Sequence, residues 1–504
     1  MRTRLPWAAY GVLATLAGVG LAHLAAALTD PAASPVLAVG SAVVDLTPAP
    51  AKEWAIRQFG SADKAVLVGS VLAGVLVLAA VAGLVARRRP RAGAAVLLGL
   101  VLVAAAAVVS RPEAGAVDLL PALVAAVAGP AALALLARAH RESGRAGDAG
   151  DGSRRTLLVT AAALGATAAV GGFAGRVVAS LRARPEDVAL PAPADAAPAL
   201  PRGLDDQVPG ITPFRTANAD FYRVDTRLDV PVVSTDDWTL TIDGDVARKV
   251  TLTFDDLLAM PLVERDITLT CVSNSVGGPY VGGARWLGVR LTDVLDLAGI
   301  AGTSADQLLS TDVDGMTIST PLALATDGRD ALLAVGMNGE PLPREHGFPV
   351  RMVVPGLYGF VSATKWLSRL TLTTYAEREA YWTARGWATD APIKIAARID
   401  TPRALAQLDA GDVVVGGVAW AQERGGIATV QVRIDGGPWR DTQLGPDGGD
   451  DYWRQWFLRW PATPGSHRIA VRAVSGDGEP QPAVRAEPFP DGASGLHELI
   501  VTVS

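Results

Sequence analysis

Cysteine is almost absent from this sequence, with one residue, Cys271, in 504 positions. A single thiol cannot form an internal disulfide, so no disulfide framework holds the chain together. The net charge of -6 provides no basic surface of the kind that binds nucleic acid, and no nucleic-acid partner is expected. Aromatic residues are also scarce, and ten of the twelve tryptophans lie beyond residue 230. The two parts of the chain therefore differ in kind.

The length of 504 residues is too great for one ordinary domain and suggests about three units. Ala, Gly, Val and Leu crowd the first 180 positions, which is typical of a membrane part followed by a water-soluble part. We predict a multi-domain chain with four segments: a transmembrane domain of five helices over 1–180, a Pro/Ala-rich tether over 181–213, an α+β domain over 214–400 and an immunoglobulin-like β-sandwich over 401–504.

Five apolar runs are long enough to cross a bilayer core, which takes about 20 helical residues. They are 7–28, 65–86, 92–109, 116–137 and 157–175. Four of the five lack any charge, which argues against buried helices of a soluble protein. The sequence therefore predicts a multi-pass protein of the cell membrane, in contact with lipid.

Arginine clusters in three connections that would lie on one side of the membrane. They are Arg2 and Arg4, then Arg87, Arg88, Arg89 and Arg91, then Arg138, Arg141, Arg145, Arg154 and Arg155. The opposite connections carry only Lys52, Arg57, Lys64 and Arg111, although Arg176, Arg182 and Arg184 follow the fifth run. Because five is odd, this pattern predicts a cytoplasmic amino terminus and an extracytoplasmic location for residues 181–504.

Two further features of the membrane part have alternatives. Arg154 and Arg155 before the fifth run resemble a twin-arginine export signal, or they are an ordinary positive flank. The histidines are His23, inside the first run, and His140, placed beyond the fourth, and this is not a facing pair that could ligate a haem. We expect no haem and interpret the five helices as an anchor or docking unit.

Local signals in the middle domain predict a mixture of helices and strands. Thr253 and Thr292 are expected as helix caps, and Gly299 as the end of the second helix. Strand patterns cover 238–242, 348–354 and 366–374. Beyond residue 400 short alternating segments recur between turns, at 413–420, 429–434, 453–460, 467–472 and 498–503, and they indicate the immunoglobulin-like sandwich.

Cys271 ends a strand-like run and begins a loop rich in Ser, Asn and Gly. It is either a small buried hydrophobic residue or a thiolate presented to a metal or substrate. Two other loops of the middle domain, 216–223 and 346–366, are also polar. Together the three loops offer a thiolate, an amide, an imidazole, two guanidinium groups and an ammonium, a set that suits a metal on a large anionic cofactor. Each residue alone has an ordinary structural interpretation.

The combination resembles the sulfite-oxidase-fold molybdenum enzymes, over about residues 210–504. The motifs that carry the resemblance, in the family's order, are Met337-Asn-Gly-Glu-Pro-Leu-Pro343, His346-Gly-Phe-Pro-Val-Arg351, Val-Pro355-Gly and Lys365-Trp-Leu. The resemblance implies a molybdenum-molybdopterin cofactor with Cys271 as the metal ligand. It also implies cofactor contacts from Asn218, Tyr222, Arg223, Thr311, His346, Arg351, Ser362, Thr364 and Lys365.

The sequence departs from the animal sulfite oxidases, because no arginine follows Cys271 shortly and the family tyrosine has no clean counterpart in 381–387. The catalytic residues therefore stay unassigned, and the chain looks closer to the bacterial extracytoplasmic branch. We predict an oxidoreductase for two-electron oxygen-atom transfer on a small molecule, with an unidentified electron donor or acceptor and a possible homodimer. The alternative is a membrane-tethered binding protein whose enzyme fold is catalytically retired.

Overall fold

The computed structural model describes residues 4–48, 51, 54–55, 58–59, 62–111, 114–145, 151–182 and 188–504. Arg2, Lys52, Arg57 and Arg184, which contributed to the predicted orientation, lie outside the described residues. The chain forms two compact units. The first comprises Met1–Arg184 and Thr226–Val232, and the second comprises Pro185–Asp225 and Val233–Ser504.

The described part of the first unit is helical. Its helices are α1 (Leu5–Leu28), α2 (Pro35–Leu46), α3 (Asp63–Ala86), α4 (Pro90–Val109), α5 (Leu120–Arg145) and α6 (Asp151–Arg182). Short 3-10 turns lie at Pro31–Ala33 and Ala116–Leu119. Helix α2 was not predicted, because its 12 residues are too few for the length criterion of a membrane span.

Five helical segments are long and apolar enough to cross a membrane: Leu5–Leu28, Lys64–Ala86, Pro90–Val109, Ala116–Ser143 and Arg155–Val178. The prediction of five such helices is confirmed, whereas their insertion in a membrane stays a prediction. The fourth segment runs to Ser143, so it includes His140, which the sequence analysis wrongly placed beyond it. The Nδ1 atom of His140 is 3.0 Å from the Tyr10 hydroxyl oxygen, a hydrogen bond that ties α5 to α1.

Helix α1 lies at the centre of the helical unit and packs against α3, α5 and α6. Glycine makes the closest approaches possible. A Cβ atom at Gly83 would lie 1.9 Å from the carbonyl oxygen of Trp7, and one at Gly11 would lie 1.9 Å from that of Ala79. The α1 and α3 backbones therefore touch directly, as small residues allow in helix pairs that lack a hydrophobic driving force in lipid.

The second unit begins with an α+β domain. Its strands are β1 (Thr239–Gly244), β2 (Val250–Thr253), β3 (Leu262–Thr270), β4 (Val281–Arg290), β5 (Gln307–Asp312), β6 (Thr317–Pro321), β7 (Leu332–Met337), β8 (Glu340–Pro341), β9 (Arg351–Val353) and β10 (Leu367–Thr373). Its helices are α7 (Phe254–Leu258), α8 (Leu291–Ala298), α9 (Leu322–Ala325) and α10 (Gly359–Ser362). Short 3-10 turns lie at Asn218–Asp220, Arg344–His346 and Thr383–Arg385.

Two sheets organise this domain. The first has the order β2-β1-β10-β5-β6, and the second has the order β3-β4-β7-β8 with β9 beside β7. Strand β1 pairs in parallel with β10, while the other pairs of the first sheet are antiparallel. The mixed sheet and the short helices confirm the α+β pattern. The sequence placed a strand over 348–354, but only Arg351–Val353 pairs, because Pro349 lacks the N–H that a ladder needs.

The helix ends follow local rules in part. Thr253 caps α7, since its hydroxyl accepts from the Asp256 N–H at 3.1 Å and the Asp256 carboxylate accepts from the Thr253 N–H at 2.9 Å. Gly299 ends α8 in the left-handed region, with φ of 74°. The cap at Thr292 was wrong. Helix α8 already begins at Leu291, because Leu291, Val294, Leu295 and Ala298 form the buried face.

The rest of the unit is a second β domain. Its strands are β11 (Ala396–Thr401), β12 (Gln407–Leu408), β13 (Gly411–Trp420), β14 (Ile427–Ile434), β15 (Arg440–Asp441), β16 (Gln443–Leu444), β17 (Arg454–Ala462), β18 (Gly465–Ser475) and β19 (His497–Val503). They form two sheets, β11-β13-β17-β16 and β12-β19-β18-β14-β15. Both sheets contribute to one apolar core, which includes Ile399, Val415, Val432 and Val501.

The segment 188–213 has little regular structure and runs along this unit. The Ala194 N–H donates to the Leu262 carbonyl at 2.8 Å, and the Leu204 N–H donates to the Gln455 side chain at 2.6 Å. Leu204, Val208 and Ile211 form a small apolar cluster of their own. The Pro/Ala-rich stretch is thus bound, from residue 188 onward, to the rest of the second unit. This unit is the predicted water-soluble part and is called the soluble unit.

Candidate functional site

Cys271 is the first residue after β3, and its environment is set by the β3–β4 pair. The register that pairs Thr270 with Val281 brings both strand ends together. The Cys271 N–H donates to the Tyr280 carbonyl at 3.0 Å, and the Asn274 N–H donates to the Cys271 carbonyl at 3.0 Å. The Asn274 side chain in turn accepts from the Tyr280 N–H at 2.9 Å. The loop after Cys271 is therefore closed by its own hydrogen bonds.

The Cys271 side chain is buried, with 8% of its surface exposed. Burial raises the pKa of the thiol, while hydrogen bonds from Ser273 and the nearby Lys365 ammonium lower it. A free thiol would thus stay protonated here, and a bound cation would favour the thiolate. The strand end predicted from the sequence is confirmed, and either role of the thiol fits its burial.

The first and third polar loops meet through Asn218 and His346. The His346 Nε2–H donates to the Asn218 carbonyl at 2.8 Å, and the Asn338 amide donates to the Asn218 side-chain oxygen at 2.8 Å. His346 is 3% exposed, and its burial lowers the pKa to about 4. The imidazole is therefore neutral and acts as a fixed donor between the loops.

Arg351 is the most unusual charge of the site. Its side chain is 6% exposed, its Nη1 donates to the His346 carbonyl at 3.1 Å, and its guanidinium lies 5.0 Å from the centre of the Trp286 ring. None of the described carboxylates pairs with it, and its Nε has no hydrogen-bond partner in the described structure. Burial lowers the pKa of Arg351 to about 10, so it remains charged at neutral pH. A buried guanidinium without a counter-ion suits an anionic ligand.

Tyr222 interacts electrostatically with both this arginine and the cysteine. Its ring stacks on Phe221 at 5.1 Å and is 6.3 Å from the ring of Tyr280. Burial raises the pKa of its phenol well above the usual range, a negative charge on Cys271 would add to that effect, and Arg351 opposes it. Tyr222 is therefore a neutral phenol close to Cys271.

Lys365 and Arg223 share one carboxylate. The Lys365 ammonium lies 2.8 Å from an Asp225 oxygen, and Arg223 Nε lies 2.7 Å from the same oxygen. Burial lowers the pKa of Lys365 to about 8, although Asp225 raises it. With Arg351, the predicted residues carry three cations, two of which share the Asp225 carboxylate, and Lys365 acts electrostatically on Cys271.

The remaining predicted residues, Ser362, Thr364 and Thr311, lie at the turn around α10 and on strand β5. Ser362 is buried and its hydroxyl donates to the Leu357 and Tyr358 carbonyls at 3.0 Å, which closes the turn at α10. Thr364 is buried and its hydroxyl lies 2.5 Å from that of Ser310 on β5. Thr311 is the next residue of β5, and because strand side chains alternate between faces it lies on the opposite face from Ser310. The cofactor contact expected from Thr311 stays a prediction, and the described hydrogen bond between β5 and the third loop is made by Ser310.

Sequence reasoning missed Ser310, Asp225 and Asn338. Asn338 had a local signal, because Asn-Gly favours a turn with positive φ, and its φ is 56°. That signal predicts the turn but not the contact with Asn218, 120 residues away. Asp225 stands two residues after Arg223, and nothing local shows that it also binds Lys365.

Comparison with known proteins identifies the domain that contains Cys271 and the third polar loop. Residues 227–382 match the family model of the oxidoreductase molybdopterin binding domain. Mitochondrial sulfite oxidase of Drosophila melanogaster is 31% identical over 302 residues, which are 51% of this chain and 52% of that protein. The human mitochondrial enzyme is 32% identical over 305 residues, which are 51% of this chain and 55% of that protein. The chain spans about half the length of these curated relatives.

A solved structure, the sulfane dehydrogenase SoxCD from Paracoccus pantotrophus, is also similar. Its TM-score is 0.48 at 22% identity, over 55% of this chain and 80% of that chain. The family match defines residues 227–382 as a molybdopterin-binding oxidoreductase domain. The homology to sulfite oxidases then places this domain among the molybdopterin-dependent oxidoreductases of the sulfite-oxidase fold.

The residues present fit such a cofactor. Molybdopterin is anionic, and Arg351 offers a buried guanidinium with an unsatisfied Nε. Cys271 offers one sulfur ligand, a soft donor of the type that thiolate-binding metals prefer. Lys365 and Arg223 lie in the polar loops and would provide N–H donors for phosphate groups, while the Asn218–His346 hydrogen bond holds the first and third loops together.

Proposed function

We propose that this chain is a membrane-anchored, extracytoplasmic oxidoreductase that uses a molybdenum-molybdopterin cofactor for two-electron oxygen-atom transfer on a small substrate. The observation that carries the proposal is the buried thiol of Cys271 together with the buried guanidinium of Arg351, which pairs with none of the described carboxylates. Both groups act electrostatically on the buried Tyr222, and both belong to the domain that matches the molybdopterin-binding family.

Each residue of the site has a defined part in this proposal. Cys271 holds the metal, and Arg351, Arg223 and Lys365 hold the anionic groups of the cofactor. His346 is neutral and keeps the first loop on the third, while Ser362 and Thr364 fix the turn that carries Lys365. Asn218 and Tyr222 line the same loops. The bound cofactor would supply the two-electron redox chemistry.

The helical unit supports a location in the cell membrane. Five of its helices have the length and hydropathy of membrane spans, and the arginine-rich connections of the sequence favour a cytoplasmic amino terminus. The soluble unit then lies outside the cytoplasm. Arg154 and Arg155 fit a twin-arginine signal as well as an ordinary positive flank. A twin-arginine signal would suit this function, since it exports domains that are already folded with their cofactor.

The substrate is a small molecule that accepts or donates an oxygen atom, either sulfite-like or sulfoxide-like. The segment 272–278 after Cys271 contains no Arg or Lys, so the loop itself provides no cation for a sulfite anion. An electron donor or acceptor completes the reaction. The C-terminal β domain is interpreted as an immunoglobulin-like sandwich of the dimerisation type, which allows a homodimer.

The test is elemental analysis of the full chain, purified in detergent from a host that makes the cofactor. We expect about one molybdenum per chain, as one ligating thiol per chain implies, together with a pterin. Protein without molybdenum from such a host would favour the alternative, a membrane-tethered binding protein with a retired enzyme fold. The missing arginine after Cys271 is the observation on the side of that alternative.

A further inference from the structure

The loop after Cys271 is held by the C-terminal β domain as well as by its own hydrogen bonds. Gly277 has a φ of 78°, and a Cβ atom there would lie 2.4 Å from Nε2 of His497, the first residue of β19. The His497 imidazole therefore lies directly against the loop backbone at Gly277. Glycine is required at 277 for two reasons, because the backbone is left-handed and because the ring occupies the side-chain space.

The orientation of the His497 ring is fixed from behind. Its Nδ1 accepts a hydrogen bond from the Ile399 N–H at 3.0 Å, so the ring proton is on Nε2, the atom that faces Gly277. Burial lowers the pKa of His497, and the nearby Arg398 lowers it further. The imidazole is thus neutral, with one defined tautomer, and acts as a rigid support for the loop.

Arg398 of β11 makes the second contact. Its Nη1 donates to the Gly278 carbonyl at 2.9 Å, its Nε lies 2.6 Å from Asp400, and its Nη2 donates to the Thr212 hydroxyl at 2.7 Å. Asp400 also accepts from the Thr212 N–H at 2.9 Å. A planar fork held at two of its nitrogens presents the third in one direction only. Arg398 therefore fixes the Gly278 carbonyl in space.

The same β domain also holds the strand that enters the loop. Gln422 donates its amide to the Thr268 carbonyl at 2.8 Å, and the Trp453 N–H donates to the Thr268 hydroxyl at 2.9 Å. Cys271 lies between Thr268 and Gly277 in the chain. Both flanks of the thiol are thus attached to the β domain, three residues before it and six to seven after it.

We propose that Arg398 and His497 are positioning residues, through which the β domain sets the direction of the Cys271 sulfur. This inference rests on the proposed function, because it concerns the thiol as a metal ligand. A metal–sulfur bond depends on the orientation of the ligand, and supporting residues that hold a ligand affect metal binding and activity by about 10- to 100-fold. In this role the β domain contributes to the metal centre and does not serve only to pair two chains.

The test separates the two functions of the imidazole with two variants. His497→Asn keeps an oxygen near the Nδ1 position, which can accept from Ile399, but it loses the part of the ring that touches Gly277. His497→Gln places an amide nitrogen near the Nε2 position and keeps the contact with the loop. We expect His497→Asn to disturb the loop and His497→Gln to resemble the wild type.

Three measurements on the full chain decide the matter. In cofactor-free protein, hydrogen exchange of the amides of 271–280 should rise by about 10-fold in His497→Asn, as the loop opens locally more often. In molybdenum-loaded protein, the Mo(V) electron paramagnetic resonance spectrum should shift. The turnover number should fall by about 10- to 100-fold with little change in KM, because the ligand and not the substrate contact is altered.

The matched control is His467→Asn. His467 also belongs to the β domain, lies 2.7 Å from Asp435 and packs on Trp460, but it makes no described contact with the cysteine loop. Exchange of 271–280 should then equal that of the wild type. Should His497→Asn fail to fold, Arg398→Lys provides the second variant, which keeps the charge beside Asp400 and loses the fork to Gly278. It should produce the same exchange and spectral changes.

Unchanged exchange and an unchanged spectrum in folded His497→Asn or Arg398→Lys would overturn the inference. That failure differs from failure of the proposed function, in which the wild-type chain itself contains no molybdenum. The exchange experiment needs no metal, so it decides whether the β domain controls the loop in either case.

Discussion

The helical unit and the soluble unit are packed through different kinds of contact. In the first, glycine brings helix backbones into direct contact, and large apolar side chains such as Val127 and Phe173 point outward, 72% and 71% exposed. In the second, buried polar side chains join distant loops, as in the contacts of Arg351, His346 and Lys365. The difference fits the proposal that the helices serve as an anchor and that the soluble unit holds the chemistry.

The largest expected effect tests the chemical side of this comparison. Cys271→Ser should abolish turnover and alter the metal spectrum, because a weaker oxygen donor replaces the only thiol in the sequence. The fold should persist, since Ser is nearly the same size as Cys. Activity assays and visible absorption on the purified full chain provide the measurement.

Ser275→Ala is the control for that variant. It changes a neighbouring loop residue without touching the thiol, and wild-type turnover is expected. Full activity of Cys271→Ser would contradict the assignment of Cys271 as the metal ligand. It would also remove the main chemical reason for locating the reaction in the soluble unit.

The second variant should have different effects on the cofactor-free protein and on the cofactor-loaded protein. Arg351→Met removes a buried charge that lacks a carboxylate partner, so the cofactor-free protein should be as stable as the wild type or slightly more stable. The molybdenum content of the same variant should fall by about 10-fold or more, because one buried charge-assisted contact to an anion contributes about 1.5–3 kcal/mol.

Thermal unfolding of the cofactor-free protein and elemental analysis of the loaded protein provide the two measurements. Arg398→Met serves as the contrasting variant, since Arg398 has the counter-ion Asp400 and its removal should destabilise the cofactor-free protein. Equal losses of stability in both variants would show that Arg351 is an ordinary structural arginine.

The third effect tests the anchor. Gly83→Leu should separate α1 from α3, because even its Cβ would lie 1.9 Å from the Trp7 carbonyl oxygen. We expect a loss of several kcal/mol for the helical unit, as overpacking against backbone cannot be relieved by a side-chain rotation. The molybdenum content of the soluble unit should not change. Unfolding in detergent mixtures, followed by circular dichroism, provides the measurement.

Gly74→Leu is the matched control on the same helix α3, because nothing lies within 4 Å of a Cβ atom at that position. It should leave stability unchanged or raise it, since Gly costs a helix about 1 kcal/mol relative to good helix formers. Equal effects at the two glycines would contradict the close backbone packing of α1 and α3.

The smallest effect concerns pH. Burial raises the pKa of Asp451 to about 7, Glu423 and Asp330 add to this, and Arg329 opposes it. Because the folded-state pKa is above the unfolded value near 3.8, the protonated carboxyl stabilises the fold at low pH, and this contribution is lost as pH rises through 7.

Asp451→Asn should therefore gain stability relative to the wild type between pH 5 and pH 8, by about 2 kcal/mol. Denaturant titrations of the soluble unit's signal in both proteins, at the two pH values, measure the difference. If the free energy of unfolding changed equally with pH in the wild type and the variant, Asp451 would be excluded as the group that causes the pH dependence.

Signals that act over a few residues predicted much of the fold. The capping box at Thr253, the glycine end of α8 and the five long apolar helices follow from neighbouring residues. The start of α8 was missed because tertiary burial of Leu291 extends the helix beyond the expected cap. The strand at 348–354 was too long because periodicity alone does not show which N–H groups find a partner.

The candidate site was predictable in its residue types and less so in its contacts. The three polar loops were recognisable as motifs, and the structure joins the first and the third through Asn218 and His346. Their partners were not recognisable, because Asp225 binds Lys365 across 140 residues and Ser310 meets Thr364 across 54. Such pairs depend on how sheets stack, which no local pattern encodes.

The sequence by itself determined that this protein has one thiol, at the end of a strand, and a helical part apolar enough for a membrane. Both are matters of composition and short-range order. Only the tertiary structure decided the contacts of the polar loops: a guanidinium without a described carboxylate partner, a carboxylate shared by two cations, and an imidazole from the last strand against Gly277. The physical reason is that burial and hydrogen bonding act between residues that folding brings together, however far apart they stand in the chain.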